Sequence, residues 1–496
     1  MLVKKRFSVV ILLFIFYMAA IPCIAEIASV SVTQMVVSSQ ANVPELQCAT
    51  SRRKTSAYQK RELVPQEIPD DSEVRAELNE LSDDQKSQVG IDARSGYPKL
   101  ERARLGEPYR VALWGDSHIS SGIFTSELLR ILELPSDQLQ VGFIPANINR
   151  PGVNLPVRKS CLSNNWHYEA AYVSAAGAAA PGPGLVNLFS NHIGATVTWD
   201  LRDNSGVAQF KSVRVLYQQM AEPVRLGLVV DGANEIAIAL SASSGPAALE
   251  IVSESPISTV QLRLLEGNFR LHGLAYPNNP KAAIQIDLFG FPGATVSGWE
   301  RANNDYISSW FAENKYDLVM LEFGTNEGNA KPFKAGNYEQ SLRNAMKNFR
   351  GIFPLATCVL VGPGDRGQLV RRIGKARKKS GELTNNVSRF PSKVGSSQNK
   401  SPEGGLLRFG QIHQEIGRIQ TKVAKEYGCR AWSMLNAMGG VGSAYQWAQQ
   451  KPPLMARDLI HFTTLGYQRI AQIFAKDLGW SAAKLLSVNG GSGYER

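Results

Sequence analysis

Two apolar patterns alternate along most of the chain. Continuous apolar runs at 109–114, 284–289, 318–321 and 358–362 are typical of strands buried on both faces of a parallel sheet. Stretches with helical spacing of apolar residues lie between and after them, at 128–132, 406–426 and 466–475. Strands that alternate with helices predict an α/β fold around a parallel sheet.

Between residues 151 and 275 the pattern changes to short runs with strand-like alternation and no long helical spacing. Turn signals such as Asp231-Gly232 separate the runs at 195–201, 213–217, 225–230, 235–240, 248–252 and 260–265. Short strands at this spacing predict an all-β jelly-roll or sandwich domain, inserted between two parts of the α/β domain, 101–150 and 276–485. A length of 496 residues also favours more than one core.

The first 25 residues have the pattern of a signal peptide. Lys4, Lys5 and Arg6 precede an apolar stretch at 9–20, and a small residue, Ala25, precedes the expected cleavage point. The stretch is shorter than the roughly 20 residues that span a bilayer, so we expect cleavage and no stable membrane insertion afterwards. An uncleaved anchor is the alternative. The predicted location is the periplasm or the exterior.

Two further segments have polar, mixed composition. Residues 26–100 predict an arm that packs on the main domain or is partly disordered, with a short helix capped by Asp70 to Glu73. Residues 486–496 form a polar tail.

The net charge of +11 suits an anionic envelope, and no nucleic-acid-binding motif accompanies it. Much of the charge lies in a basic loop at 365–403, which contains Arg366 and a lysine- and arginine-rich run. This loop follows a predicted strand of the sheet. It is either a lid over an acidic substrate or a solvated surface loop.

Four cysteines remain after the predicted cleavage. An even number in an oxidising compartment permits two disulfides in three possible pairings, whereas Cys358 and Cys429 could equally be buried thiols. The sequence leaves the pairing open among Cys48, Cys161, Cys358 and Cys429.

Candidate chemistry begins where the first apolar run ends, at Gly115-Asp116-Ser117-His118. Open α/β sheets bind ligands at the carboxyl ends of their strands, and a helix amino terminus favours developing negative charge. Ser117 is therefore a candidate nucleophile. The triplet alone is also compatible with an ordinary turn.

The carboxyl-terminal region supplies matching partners. Asp458 lies three residues before His461, so its carboxylate can hold the imidazole at Nδ1 while Nε2 faces a serine. Between these regions, a third apolar run ends in Gly324-Thr325-Asn326, which places an amide at the same edge of the sheet.

These residues resemble, in order and spacing, the four sequence blocks of the SGNH (GDSL-type) hydrolases. The resemblance implies a flavodoxin-like three-layer α/β/α fold, with Ser117 as nucleophile, His461 as base and Asp458 as the orienting acid. The implied oxyanion hole consists of the N–H groups of Ser117 and Gly293 and the side-chain amide of Asn326.

Gly290 competes with Gly293 for the oxyanion role, and the Ala-Thr pair that follows Gly293 favours the latter. His118 and Glu327 depart from the common family pattern. Both resemble a variant found in bacterial O-acetylesterases that act on cell-wall glycans, and both are predicted to contact substrate.

The predicted function is therefore an exported serine esterase that removes O-acetyl groups from a glycan such as peptidoglycan, through an acetyl-enzyme. We expect an acetylated glycan as partner, a monomer, no nucleic acid and no cofactor. No catalytic metal is expected, because the other histidines lack ligand spacing. The alternatives are a glycan O-acetyltransferase with the same site, a non-catalytic glycan-binding protein and a lipolytic esterase.

Overall fold

The computed structural model describes residues 29–38, 43–48, 66–80, 107–313, 315–371 and 404–486. The predicted signal peptide, most of the basic loop and all but the first residue of the predicted tail lie outside these described residues.

The described strands are β1 (Ser31–Val37), β2 (Gln66–Glu67), β3 (Tyr109–Gly115), β4 (Leu139–Gln140), β5 (Phe143–Pro145), β6 (Lys159–Leu162), β7 (His167–Ala170), β8 (Val186–Ser190), β9 (Thr196–Asp200), β10 (Ser212–Gln219), β11 (Val224–Val230), β12 (Ile236–Leu240), β13 (Gly245–Ser253), β14 (Thr259–Glu266), β15 (Phe269–Ala275), β16 (Ile284–Gly290), β17 (Leu318–Glu322), β18 (Thr357–Gly362), β19 (Val370–Arg371) and β20 (Arg430–Ser433).

The described helices are α1 (Asp71–Asn79), α2 (Ser117–Ser120), α3 (Ile123–Ile131), α4 (Ala175–Ala179), α5 (Ser297–Arg301), α6 (Asn304–Ser308), α7 (Ala335–Ile352), α8 (Arg408–Glu426), α9 (Met434–Met438), α10 (Ser443–Gln449), α11 (Thr464–Leu478) and α12 (Ala482–Leu485). Short 3₁₀ helices occupy Ser136–Gln138, Ser309–Phe311 and Glu327–Asn329.

A six-stranded parallel sheet organises the α/β part, in the order β20-β18-β17-β3-β16-β4. Apart from the short edge strand β4, its strands follow the 2-1-3-4-5 order of flavodoxin-like sheets. The chain leaves β3 toward β16 on one side and later reaches β17 on the other. A ligand crevice is expected at this switch point, outside the carboxyl ends of β3 and β17.

Helices cover both faces of this sheet. Trp114 and Phe289 point to one face and pack in the same apolar cluster as residues of α7 and α8. Leu113 and Met320 point to the other face and cluster with residues of α3 and α11. The strands are apolar throughout because both of their faces are buried, and the predicted mixed α/β fold is confirmed.

The middle of the chain forms two further sheets. One has the order β12-β11-β14-β9-β6, and the other has the order β1-β13-β10-β15-β8-β7 with β5 added on β15. Side chains from both sheets, including Trp199, Val215 and Leu228, share one apolar core. A jelly-roll topology for this region stays a prediction.

The predicted range 151–275 is too narrow for these sheets. β1 pairs in parallel with β13, and β5 pairs with β15, so residues 31–37 and 143–145 belong to them as well. Neither segment carries a local signal for its distant partner, because strand pairing depends on long-range contacts.

The β region packs directly on the α/β part. The indole N–H groups of Trp114 and Trp310 donate to the carbonyls of Pro183 and Pro181 at 2.9 and 3.0 Å. Tyr172 and Val186 join the same core cluster as Trp114. The β region therefore completes the packing on one face of the parallel sheet.

Two disulfides, Cys48–Cys161 and Cys358–Cys429, resolve the pairing that the sequence left open. The first fastens the arm to β6. In the arm, the predicted short helix is α1, and Asp70 and Glu73 form a capping box at its start. The described parts of the arm therefore pack on the main domain.

Along the described ranges, the helices lack the length and apolar character needed to cross a bilayer.

Candidate active site

The predicted site residues follow the carboxyl ends of neighbouring parallel strands. Ser117 follows β3, Gly293 follows β16 and Asn326 follows β17, while His461 lies just before α11. Parallel strands end at one common edge, so the sheet order itself brings these separate segments together.

The predicted triad is assembled. Nε2 of His461 lies 2.9 Å from Oγ of Ser117, and Nδ1 of His461 lies 2.8 Å from Oδ2 of Asp458. Ser117 is the first residue of α2 and is half-buried. This geometry permits His461 to take the serine proton while Asp458 fixes the imidazole orientation.

Asp458 and His461, the two triad residues that come after the last strand of the sheet, lie in one tight turn. Oδ1 of Asp458 accepts from the N–H groups of Ile460 and His461 at 3.0 Å each. Leu459, which lies between Asp458 and Ile460, has a φ of 56°. Its side chain is fully buried, and its carbonyl accepts a hydrogen bond from the N–H of Gly367. A left-handed leucine persists only where its surroundings fix it.

Hydrogen bonding determines the charge state of the orienting acid. Partial burial raises the pKa of Asp458, but hydrogen bonds from the side chain and N–H of His461 outweigh this and hold it below its ordinary value. Asp458 is therefore a carboxylate at neutral pH, and a carboxylate in this position is able to stabilise a protonated His461.

The backbone provides two N–H groups for an oxyanion. Gly293 is exposed with a φ of 86°, and among the described residues neither its N–H nor that of Ser117 has a hydrogen-bond acceptor. Gly290 is unsuited to this role: a Cβ there would lie 2.4 Å from Cα of Ser120, so this glycine serves close packing against α2.

The third predicted donor is close by but already engaged. Nδ2 of Asn326 donates to Oδ2 of Asp116 at 3.0 Å and to the carbonyl of Ala294 at 2.9 Å. The amide is therefore held between the loops that follow β3 and β16. Donation to an oxyanion requires that one of these two bonds be exchanged.

Asp116, which accepts from Asn326, forms a buried carboxyl pair with Glu322. The N–H of Asp116 donates to Glu322, and Oδ1 of Asp116 accepts from the N–H of His118. Burial raises the pKa of both carboxyls, and the nearby charge of Asp116 raises that of Glu322 further. Burial and the neighbouring charge thus favour the neutral form of Glu322, whereas Asp116, with a pKa raised to about 6, is the more acidic of the two and accepts from Asn326.

Replacing Asn326 by alanine should lower kcat on a small acetyl ester by about 10² to 10³, the usual effect of removing one oxyanion donor. Steady-state kinetics of the purified variant measures this. Gln340→Ala, which removes an exposed side-chain amide of α7, is the control and should change kcat little. Equal rates for the Asn326 variant and wild type would exclude the side-chain amide from catalysis.

Glu327 joins two loops of the site instead of reaching outward. Its oxygens accept from the N–H groups of Val296 at 2.8 Å and Gly324 at 3.0 Å. Burial raises its pKa to about 7, although these hydrogen bonds oppose the shift. Its predicted contact with substrate therefore stays a prediction, while its structural contacts are clear.

The raised pKa of Glu327 predicts a pH-dependent stability. Between the ordinary value of 4.5 and about 7, the folded state binds more protons than the unfolded state, so unfolding free energy falls as pH rises. The stabilisation is complete below the unfolded pKa and is lost through pH 7. Denaturant titrations from pH 5 to 8 should show a shallower fall for Glu327→Gln, and an unchanged slope would contradict this assignment.

His118 lies in the interior, only 3% exposed, and not at the mouth of the site. Its ring packs near Phe462 and Tyr467, and burial lowers its pKa to about 3. An α-helix turns by about 100° per residue, so the position after Ser117 faces a different side. The structure therefore gives His118 a packing role and does not offer it to a substrate.

The structure also places an arginine beside the site that sequence patterns did not assign to it. The guanidinium of Arg366 lies 4.1 Å from the ring centroid of Phe409 and donates to Oδ1 of Asn329. Burial lowers the pKa of Arg366, and the negative charge of Asp458 opposes this shift. Arg366 follows β18 by four residues and belongs to the basic loop, and this position was the sequence signal that could have placed it near the site.

The other described histidines have structural surroundings where they are buried. His272 contacts Asn187 and Tyr306, and His413 contacts the carbonyl of Gly364. Within the described ranges, no three side chains of His, Cys, Asp or Glu converge in a way that could hold a metal ion.

No protein-family model and no curated protein matches the chain. Among solved structures, it is similar to a peptidoglycan O-acetylesterase, at 20% identity and a TM-score of 0.54, over 80% of this chain and 94% of that one. A putative GDSL-like lipase from Parabacteroides merdae matches at 16% identity and a TM-score of 0.26, over 40% of this chain and 74% of that one. A family two carbohydrate esterase from Cellvibrio japonicus matches at 10% identity and a TM-score of 0.23, over 65% and 98%. The chain thus has a fold similar to that of the peptidoglycan O-acetylesterase.

Proposed function

We propose that the protein is an exported serine esterase that removes O-acetyl groups from an envelope or environmental glycan. The observation that carries the proposal is the continuous contact from Asp458 through His461 to Ser117 at the switch point of the sheet. Such a contact chain is the requirement for an activated serine nucleophile. The fold likeness to a peptidoglycan O-acetylesterase supports the choice of substrate class.

The reaction proceeds in two halves. His461 takes the proton of Ser117 as Oγ attacks the acetyl carbonyl, and the oxyanion forms against the N–H groups of Ser117 and Gly293 and the Asn326 amide. The C–O bond to the sugar then breaks, and His461 returns the proton to the departing sugar hydroxyl. Water attacks the acetyl-enzyme in the same way and releases acetate.

Export and carbohydrate contact belong to the same proposal. The pattern of residues 1–25 supports export, and the two cysteine pairings suit an oxidising compartment. The two β-sheets, packed on the catalytic sheet, are proposed as a surface that contacts the glycan polymer.

The test is product analysis with the purified chain on O-acetylated peptidoglycan, O-acetylated xylan and a chromogenic acetyl ester. The esterase proposal expects free acetate and a deacetylated glycan. Transfer of the acetyl group to an added glycan acceptor, in place of acetate release, would instead identify an O-acetyltransferase. No turnover of any of the three would contradict the proposal.

A further inference from the structure

A pocket of about 260 Å³ lies beside the oxyanion loops. One wall is the segment after β16, with Thr295 and Ser297, and the other is the start of α7, with Phe333, Lys334 and Asn337. Pockets for drug-sized ligands usually measure about 300 to 1,000 Å³. This one is therefore suited to a group of roughly the size of one ring.

Hydrogen bonds between the two walls hold the pocket beside the oxyanion residues Gly293 and Asn326. The Ala294 carbonyl accepts from Asn326, and two residues further along the chain the N–H of Val296 donates to Glu327. Gly293 and Asn326, the two outer oxyanion residues, thus belong to the same two segments that form the pocket. A group in the pocket would lie next to whatever occupies the oxyanion hole.

The lining combines an apolar face with free hydrogen-bonding groups. The half-buried Phe333 ring, 6.2 Å from the Tyr338 ring, provides the apolar face. The hydroxyls of Thr295 and Ser297 lie 2.8 Å apart, and each retains further hydrogen-bonding capacity. Among the described residues, the Asn337 amide has no hydrogen-bond partner and the Lys334 ammonium has no ion pair.

A pyranose ring has complementary chemistry, since its C–H face packs on an aromatic ring while its rim of hydroxyls requires donors and acceptors. We infer that this pocket binds the sugar adjacent to the acetylated one, so that the enzyme acts on an oligosaccharide or polymer in preference to an acetylated monosaccharide. The inference rests on the proposed esterase function and deepens it.

The test compares kcat/KM of the full chain for a chromogenic acetyl ester, an O-acetylated monosaccharide and an O-acetylated trisaccharide. Wild type should favour the trisaccharide over the monosaccharide by about tenfold or more, which corresponds to one good contact. Phe333→Ala should remove most of this preference through a higher KM and leave the chromogenic ester unaffected. Tyr427→Ala, which removes a half-buried ring at the opposite edge of the sheet, is the matched control and should keep the preference.

Calorimetric binding of the deacetylated trisaccharide gives a readout independent of turnover, and Phe333→Ala and Asn337→Ala should each weaken it about tenfold. Equal kcat/KM of wild type for monosaccharide and trisaccharide would overturn the inference while leaving the esterase proposal standing. So would an equal loss on the chromogenic ester in Phe333→Ala. If the proposed function itself failed, wild type would release acetate from none of the three esters, whereas trisaccharide binding would still report on the pocket.

Discussion

Replacing Ser117 by alanine should abolish ester hydrolysis, with a fall in kcat of about 10⁶, as in other enzymes that lose the serine of such a triad. Oγ of Ser117 lies 2.9 Å from Nε2 of His461, and alanine removes this atom. The residue is half-buried at the start of α2, so its loss leaves no large cavity, and stability should change by about 0.5 kcal/mol or less.

The measurement is acetate release under saturating substrate, paired with a thermal unfolding curve. Ser121→Ala is a matched control, because Ser121 is half-buried on the same segment and its hydroxyl has no hydrogen-bond partner among the described residues. It should retain wild-type activity. Substantial turnover by a folded Ser117→Ala variant would remove Ser117 from the mechanism.

Replacing Asp458 by asparagine should lower kcat between about tenfold and about 10⁴, the upper figure being that of a comparable triad change. The carboxylate accepts from Nδ1 of His461 at 2.8 Å. An amide can instead donate there, which favours the tautomer whose Nε2 carries a proton and is unable to accept one from Ser117. The Asp458 side chain is 47% exposed, so water can partly replace it, and the lower part of this range is accessible.

Asp203→Asn is the matched control for this variant. Asp203 also accepts from two backbone N–H groups in a turn, those of Ser205 and Val207, but it lies in the β region. Loss of activity only in Asp458→Asn would separate the effect on His461 from loss of a turn hydrogen bond. Wild-type kcat for Asp458→Asn would show that Asp458 merely caps its turn.

The contacts of the candidate site could be predicted from the sequence because its residues directly follow predicted strands of the sheet. Ser117, Gly293 and Asn326 each follow a continuous apolar run, and parallel strands bring such ends to one edge. The three-residue spacing of Asp458 and His461 likewise places both groups on one turn.

Other features depended on side-chain direction or distant pairing, which no local pattern reports. His118 was expected at the substrate, yet the rotation of α2 directs it inward. β1 and the two disulfides required partners more than 70 residues away. The sequence contained one indication of the buried pair, because Glu322 directly follows the apolar residues of β17. A carboxyl group is costly to bury there without a partner such as Asp116.

Trapping a covalent acyl-enzyme would give the strongest evidence that Ser117 is the nucleophile. Rapid acid quenching of wild-type protein during turnover of a chromogenic acetyl ester, followed by peptide mass mapping, locates any covalent acetyl group. We expect one acetyl group on Ser117 in the wild type and none in Ser117→Ala. Hydrolysis that continues with the acetyl group on another residue, or with none bound at any time, would contradict it.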